Sequence, residues 1–249
     1  MKKILIIITA CLAFSAQLLH AQTVKAQSPP VIVLSFDDAE ESHYINVAPL
    51  LKKFHFGATF MVCEFPVKPP ADSSYYMTWK QIRELYDMGF EIGNHTARHN
   101  NLTKMSADEI KKSVGYIEDK CKQYGIPKPI SFAYPGNRND SAAEVVLKQM
   151  GYKYARTGGS VYFTPGKDSY LAIPSYTMGS TEKLQPRTME ALENLRPGQI
   201  LAFTIHGIPD PVHDGYTTSV DVFTKYLEYM RDHHFKVIAM RDLSQYITN

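Results

Sequence analysis

Asp37 and Asp38 are adjacent carboxylates placed after the apolar run Val31-Ile32-Val33-Leu34 and the pair Ser35-Phe36. Further along, Gly93-Asn94-His95-Thr96-Ala97-Arg98-His99 presents two histidines four residues apart, again after a short segment with apolar ends, Phe90-Glu91-Ile92. One carboxylate and two imidazoles make a complete protein ligand set for a catalytic divalent metal that keeps open positions. The other carboxylate is then free to act as a base. Each half also has an ordinary explanation: Asp pairs close strands as turn residues, and His pairs occur in polar loops. Only their combination points to metal chemistry. Side chains alternate along a strand, so Asp37 and Asp38 are expected to diverge, one to each side of the strand end.

The elements that must position these groups follow from hydrophobic period and punctuation. Strands are predicted at Val31–Phe36, Gly57–Val62, Phe90–Gly93, Ile130–Tyr134, Tyr152–Arg156, Gln199–Ile205 and Phe235–Ala239, with a short one at Tyr170–Ile173. Helical spacing marks Tyr44–Phe54, a Thr78-capped segment ending at Gly89, Thr188–Leu195 and Ser219–His233. Capping boxes at Ser106–Glu109 and Ser141–Glu144 open two more helices, which stop at Gly125 and Gly151. Glu64 to Ser74 is a proline-rich loop, and a last turn covers Leu243–Ile247. Strand and helix alternate without an internal domain break, which predicts an α/β fold: an irregular (β/α) barrel of seven or eight mainly parallel strands. Asp37, Asp38, His95, His99, Asn137, Arg156 and His206 all lie at or just after strand ends. In a parallel barrel those positions share one face.

Length and composition suit a folded globular chain of 249 residues, 44% hydrophobic and 21% charged. Residues 1–21 read as a signal peptide: Lys2-Lys3, apolar Ile4 to Phe14, then Leu19-His20-Ala21 as a cleavage site. Export to the periplasm or beyond follows. Ile8-Thr9-Ala10-Cys11 resembles a lipobox, but lipid anchoring at Cys11 would leave an unusually short apolar region, so it is the less favoured alternative. Residues 22–30 are expected to be a flexible leader, and 31–249 the catalytic domain. The apolar start is too short for a stable span, so the mature chain is expected to have no integral membrane segment. Removing Lys2 and Lys3 takes the formal charge from +2 to about zero, and no basic stripe invites nucleic acid. Cys63 and Cys121 are expected to be free thiols. Sixteen tyrosines suit a sugar-binding surface, or a Tyr-rich exterior with no function.

Together these motifs resemble the polysaccharide deacetylase family, carbohydrate esterase family 4, also called the NodB-homology domain. Ser35-Phe36-Asp37-Asp38 resembles its first motif, and Glu91 to His99 its second. Phe132-Ala133-Tyr134-Pro135-Gly136 stands in the place of its third, and Thr204-Ile205-His206 in that of its last. The resemblance implies a metal-dependent deacetylase with Asp38, His95 and His99 as ligands, Asp37 as general base and His206 as general acid. It also implies an oxyanion donor at the Gly136 N–H, with Tyr134 and Asn137 beside the substrate. One divalent ion is expected, zinc first, with cobalt, nickel or iron acceptable to such a site. The substrate is an acetylated glycan, N-linked or O-linked. A non-sugar amide on the same centre, or a metal-containing glycan-binding protein without turnover, are the alternatives.

The chain departs from that pattern. Ala133 stands where the family has a base-orienting arginine, Gly136 replaces an aromatic, and Ala39 replaces a glycine. No Asp–Trp fourth motif occurs between Gly158 and Ser180. Arg156 is expected to supply the missing guanidinium through two parallel hydrogen bonds to Asp37, ahead of Arg138 and Arg241. His43, His213 and Asp214 are expected in solvated loops. Tyr44, Tyr134, Tyr162 and Trp79 stack on sugar or pack in the core, both readings being open.

Overall fold

The computed structural model describes residues 29–65 and 75–247. The expected signal peptide, Cys11, nearly all of the leader and most of the 64–74 loop lie outside the described residues. Eight strands form one parallel sheet, curled into a partial barrel: β1 (Val31–Phe36), β2 (Thr59–Val62), β3 (Glu91–Asn94), β4 (Ser131–Ala133), β5 (Tyr154–Arg156), β6 (Tyr176–Thr177), β7 (Ile200–Ile205) and β8 (Lys236–Ile238). The order is β5-β4-β3-β2-β1-β7-β6. β1 is central because β7 pairs along its whole length, while β8 and β2 share its other edge, β8 at Val31–Val33 and β2 at Ser35–Phe36.

Among the described residues six α-helices surround the sheet: α1 (Ala48–Phe54), α2 (Trp79–Asp87), α3 (Ala107–Gln123), α4 (Ser141–Gln149), α5 (Leu184–Glu193) and α6 (Val220–Asp232). Thr78 and Ser106 cap α2 and α3 through full capping boxes. The cap of α4 differs from expectation. Asp140 accepts from the Ala143 N–H at 2.8 Å, and Ser141 is already inside the helix. An Asp one residue upstream satisfies the first-turn donors equally well and brings a charge that suits the helix N-terminus.

The middle of the chain also differs. No strand forms at Tyr170–Ile173; Ile173 makes a single bridge to Arg156, and β6 lies later, at Tyr176–Thr177. Helix α5 begins at Leu184, ahead of the predicted Thr188.

Strand parity sorts the core into two layers. Ile32, Leu34 and Phe36, with Leu201, Phe203 and Ile205, pack outward against the helices. Val31, Val33, Ile200 and Ala202 face into the barrel. The inward parity continues through Ser35 to Asp37 on β1, and through Thr204 to His206 on β7. Burying these apolar side chains stabilises the fold by about 1.5–3 kcal/mol each for the larger ones. It also makes register expensive to change, because a slip of one residue would turn Leu34 inward and Asp37 outward. Gly93 is required by this crowding: a Cβ there would sit 2.3 Å from Met61 Sδ and 3.2 Å from the Ser131 carbonyl.

Candidate active site

At the C-terminal ends of the strands a cavity of about 450 Å³ opens, lined by Asp37, Asp38, His99, Gly136, Asn137 and His206 among others. Asp37 and Asp38 do not diverge. β1 ends at Phe36, and Asp38 takes φ 70°, a left-handed conformation that turns its carboxylate to the same side as that of Asp37. Strand alternation therefore stops applying one residue earlier than the sequence suggested.

Asp38, His95 and His99 bring donor atoms within 4.8 Å of one another. His95 Nε2 lies 3.5 Å from Asp38 Oδ1, and His99 Nε2 lies 3.8 Å from the same oxygen. The His95 Nδ1–H donates to the Ala133 carbonyl at 2.7 Å, which leaves the Nε2 lone pair facing the carboxylates. Burial and the neighbouring His95 push the His99 pKa down, favouring its neutral form. Two imidazoles and a carboxylate converging in this way fit a divalent ion such as zinc. The loop that carries them is held by its own polar groups. Asn94 Oδ1 accepts from the Thr96 N–H, Thr96 Oγ1 accepts from the Asn100 N–H, and Thr96 and His99 both take positive φ.

Arg156 is fully buried and its Nη2 donates to both oxygens of Asp37, at 2.7 and 2.5 Å. One nitrogen spans the carboxylate, in place of the expected parallel pair. Nη1 is left to bind Thr204 Oγ1, Asn137 Oδ1 and Ser175 Oγ. Register explains how the guanidinium arrives: Arg156 on β5 pairs directly with Ala133 on β4. The arginine has moved one strand sideways at the same height. Burial alone would raise the Asp37 pKa, but the Arg156 guanidinium, with His95 and His206, outweighs it and holds the carboxyl below its ordinary value. Arg138 and Arg241 do not reach Asp37; the Arg241 guanidinium binds the Phe90 and Gly89 carbonyls.

His206 Nε2 stands 3.8 Å from Asp38 Oδ2. Its ring lies 5.0 Å from Tyr216, and its Nδ1 has no hydrogen-bond partner among the described residues. The His206 carbonyl accepts from His43 Nε2 at 3.2 Å. His43 is therefore no solvated loop residue. It is fully buried between Phe36 and Phe60, and burial pushes its pKa down to about 4. His213 does stay partly exposed at the cavity mouth, paired with Asp210 at 3.0 Å, and Asp214 is exposed.

Tyr134 is a correction. Its ring is buried against Phe132 and its hydroxyl donates to the Leu171 carbonyl, so its side chain does not line the cavity. Gly136 and Asn137 do line it, both with positive φ. Trp79 and Tyr44 pair with Glu64 and Glu84, away from the cavity. Cys63 and Cys121 are buried and free, with Cys63 Sγ 3.7 Å from Asp38 Oδ1.

Several residues at the site were not singled out from sequence. Thr204 binds Arg156, and parity with His206 could have marked it. Phe65 and Tyr76, from either end of the proline-rich segment, stack at 5.0 Å to form one wall, and no period in that segment pairs them. Glu40 is buried, and a Cβ on Gly207 would meet its Oε2 at 1.9 Å. Burial, then Asp210 and Asp38, push its pKa up to about 9.

Known proteins are similar to this chain in sequence and in fold. Residues 24–155, more than half of the chain, match the family model for polysaccharide deacetylase. A poly-beta-1,6-N-acetyl-D-glucosamine N-deacetylase of Staphylococcus aureus is 29% identical over 151 residues, 55% of this chain and 51% of that one. An uncharacterised 30.6 kDa protein of Geobacillus stearothermophilus is 32% identical over 93 residues, 37% of this chain and 32% of that one. The matched part thus spans about a third to a half of the length of these relatives. The chitin deacetylase of Colletotrichum lindemuthianum superposes with a TM-score of 0.63 at 17% identity, over 89% of each chain, and shares the fold. With its motifs in one cavity and the family model matched over that length, the chain belongs to the polysaccharide deacetylase family.

Proposed function

We propose that the chain is an exported, metal-dependent hydrolase that removes acetyl groups from an N-acetylated glycan, with O-acetyl groups as a second leaving-group type. The observation that carries this reading is the pairing of Asp37 with buried Arg156, directly beside the donor atoms of Asp38, His95 and His99. A pure binding protein has no use for a base held in that way.

Asp38, His95 and His99 would hold the divalent ion, zinc or a similar metal. When bound, such an ion supplies Lewis acidity towards water and towards an acetyl carbonyl. Asp37, kept ionised by Arg156, takes a proton from the attacking water on a carboxylate oxygen. Arg156 also stops that carboxylate from rotating towards the metal donors, since both its oxygens are occupied. Gly136 lines the cavity, and its N–H would donate to the developing oxyanion, the lack of a Cβ leaving the backbone open to close approach. His206 Nε2 delivers a proton to the departing nitrogen or oxygen. The aromatic walls, Phe65 with Tyr76 and Tyr216 with His206, suit the apolar faces of a sugar ring.

The test is acetate release from a panel of acetylated glycans, with and without added divalent metal. Asp37→Asn is expected to keep stoichiometric metal and lose roughly 10²–10⁴ in kcat. A variant that keeps its rate, or that loses its metal, would reject Asp37 as the base. Turnover confined to non-sugar amides would change the substrate class without changing the residues.

A further inference from the structure

His206 follows directly on β7, and the main chain around it is held by three hydrogen bonds. The His206 carbonyl accepts from His43 Nε2, the Ile208 N–H donates to Ser42 Oγ at 3.0 Å, and the Ile208 carbonyl accepts from Asn46 Nδ2 at 2.8 Å. The ring has no such tether, because its Nδ1 is buried without a hydrogen-bond partner among the described residues. An imidazole fixed only at its Cα can turn about two side-chain bonds. What lies against it is Tyr216, whose ring centre is 5.0 Å away and whose plane is inclined by 32°.

Tyr216 belongs to the loop 207–218 between β7 and α6, and that loop is built around one buried carboxylate. Asp210 is 2% exposed. Its Oδ1 accepts from the Tyr75 hydroxyl at 2.8 Å and from the Val212 and His213 N–H groups at 2.9 and 2.8 Å. Its Oδ2 accepts from His213 Nδ1 at 3.0 Å. Burial alone would raise its pKa, but the Tyr75 hydroxyl and the two backbone N–H groups outweigh it and hold the carboxyl below its ordinary value. The Asp210 N–H donates to Thr217 Oγ1 at 2.8 Å, and the Thr218 N–H closes the loop onto the Gly207 carbonyl at 3.3 Å. The Tyr216 N–H donates in turn to the His213 carbonyl at 3.0 Å, and the two rings stand 6.2 Å apart. Burying a charge is costly unless every lone pair is used. Here the cost fixes the backbone and ring of His213, and through them the place of Tyr216.

We propose that Tyr216 is a positioning residue for His206, set in place by the buried hub Asp210. The proposal rests on the deacetylase reading with His206 as proton donor. The step it serves is cleavage of the bond between the acetyl carbon and the leaving nitrogen. The electron pair of that bond goes to nitrogen, which takes the proton from His206 Nε2. A ring free to turn is aligned for that transfer less of the time, so the effect falls on kcat and only for leaving groups that need the proton.

The experiment measures kcat and KM of the wild type, Tyr216→Ala, Tyr216→Phe, Asp210→Asn and His206→Ala on two substrates. An N-acetylglucosamine oligomer releases an amine that must be protonated; para-nitrophenyl acetate releases a phenolate that leaves without a proton. The ratio of glycan kcat to aryl-ester kcat should fall about tenfold in Tyr216→Ala, further in His206→Ala, which loses the acid itself, and several-fold in Asp210→Asn. Tyr216→Phe keeps the ring face and should restore the ratio. Tyr216 is half-exposed, so its alanine variant should fold with a Tm near that of the wild type. A Tyr216→Ala enzyme that keeps the ratio, whether by raising only the glycan KM or by losing both activities equally, overturns the positioning role and leaves the deacetylase reading standing. A His206→Ala enzyme that keeps the ratio overturns His206 as the acid and the proposal with it.

Discussion

At the scale of single residues, the contact between Arg156 and Asp37 decides the most. Removing one partner of a buried ion pair leaves the other charge without compensation and costs about 3–5 kcal/mol. Arg156→Ala is therefore expected to lose stability in that range, by urea denaturation, along with most turnover. Arg156→Lys keeps the charge but cannot span Asp37 while also binding Thr204 and Asn137, so it should recover only part of either. An alanine variant as stable and active as the wild type would show that the guanidinium does not hold Asp37. His43 offers a second residue-level test. Its folded pKa, about 4, lies below the ordinary 6.5 because it is buried. The unfolded chain then binds the extra proton first, so stability is fully present above about pH 6.5 and declines as pH falls towards 4. Across that window the loss amounts to at most about 3 kcal/mol. His43→Phe, which fills the space between Phe36 and Phe60 without titrating, should flatten the decline; an unchanged slope would place its source elsewhere.

At the scale of elements, caps set where helices start and turns set the direction of the strand-end side chains. The start of α4 depends on Asp140, so Asp140→Ala should destabilise the protein by about 1 kcal/mol. Ser141→Ala, at an exposed first-turn position, should change stability by less than about 0.5 kcal/mol. The reverse order in thermal melts would restore the Ser141 cap read from sequence. The capping-box pattern was present at both serines. What separated them was a competing Asp one residue earlier, which a pattern of Ser and Glu does not weigh. In the same way, the left-handed turns at Asp38, Thr96 and His99 re-aim side chains that strand parity would have sent elsewhere.

At the scale of the whole molecule, Asp38 meets His95 and His99 only when β1 and β3 are folded on either side of β2. A divalent ion that binds the native chain alone should therefore raise Tm, by about 2.7 kcal/mol in stability when the ion is present at 100 times its Kd. His95→Ala should abolish the shift and the stoichiometric metal together. An equal shift in that variant would remove His95 from the ligand set. No helix among the described residues is long and apolar enough to cross a membrane.

By itself the sequence determined the alternation of strands and helices, and through it the parallel sheet and the strand-end placement of Asp37, His95, Arg156 and His206. These are local consequences: period, parity and caps act over a few residues and need no knowledge of distant partners. Parity even carried Asp37 and His206 to the inner face, because the same apolar runs that bury Leu34 and Phe203 outward fix what faces in. The tertiary structure decided everything that depends on lateral register. It set Arg156 beside Ala133, closed His43 under the His206 carbonyl and turned Tyr134 towards Leu171. Lateral register is chosen by the packing of all the strands at once, so no stretch of chain records it.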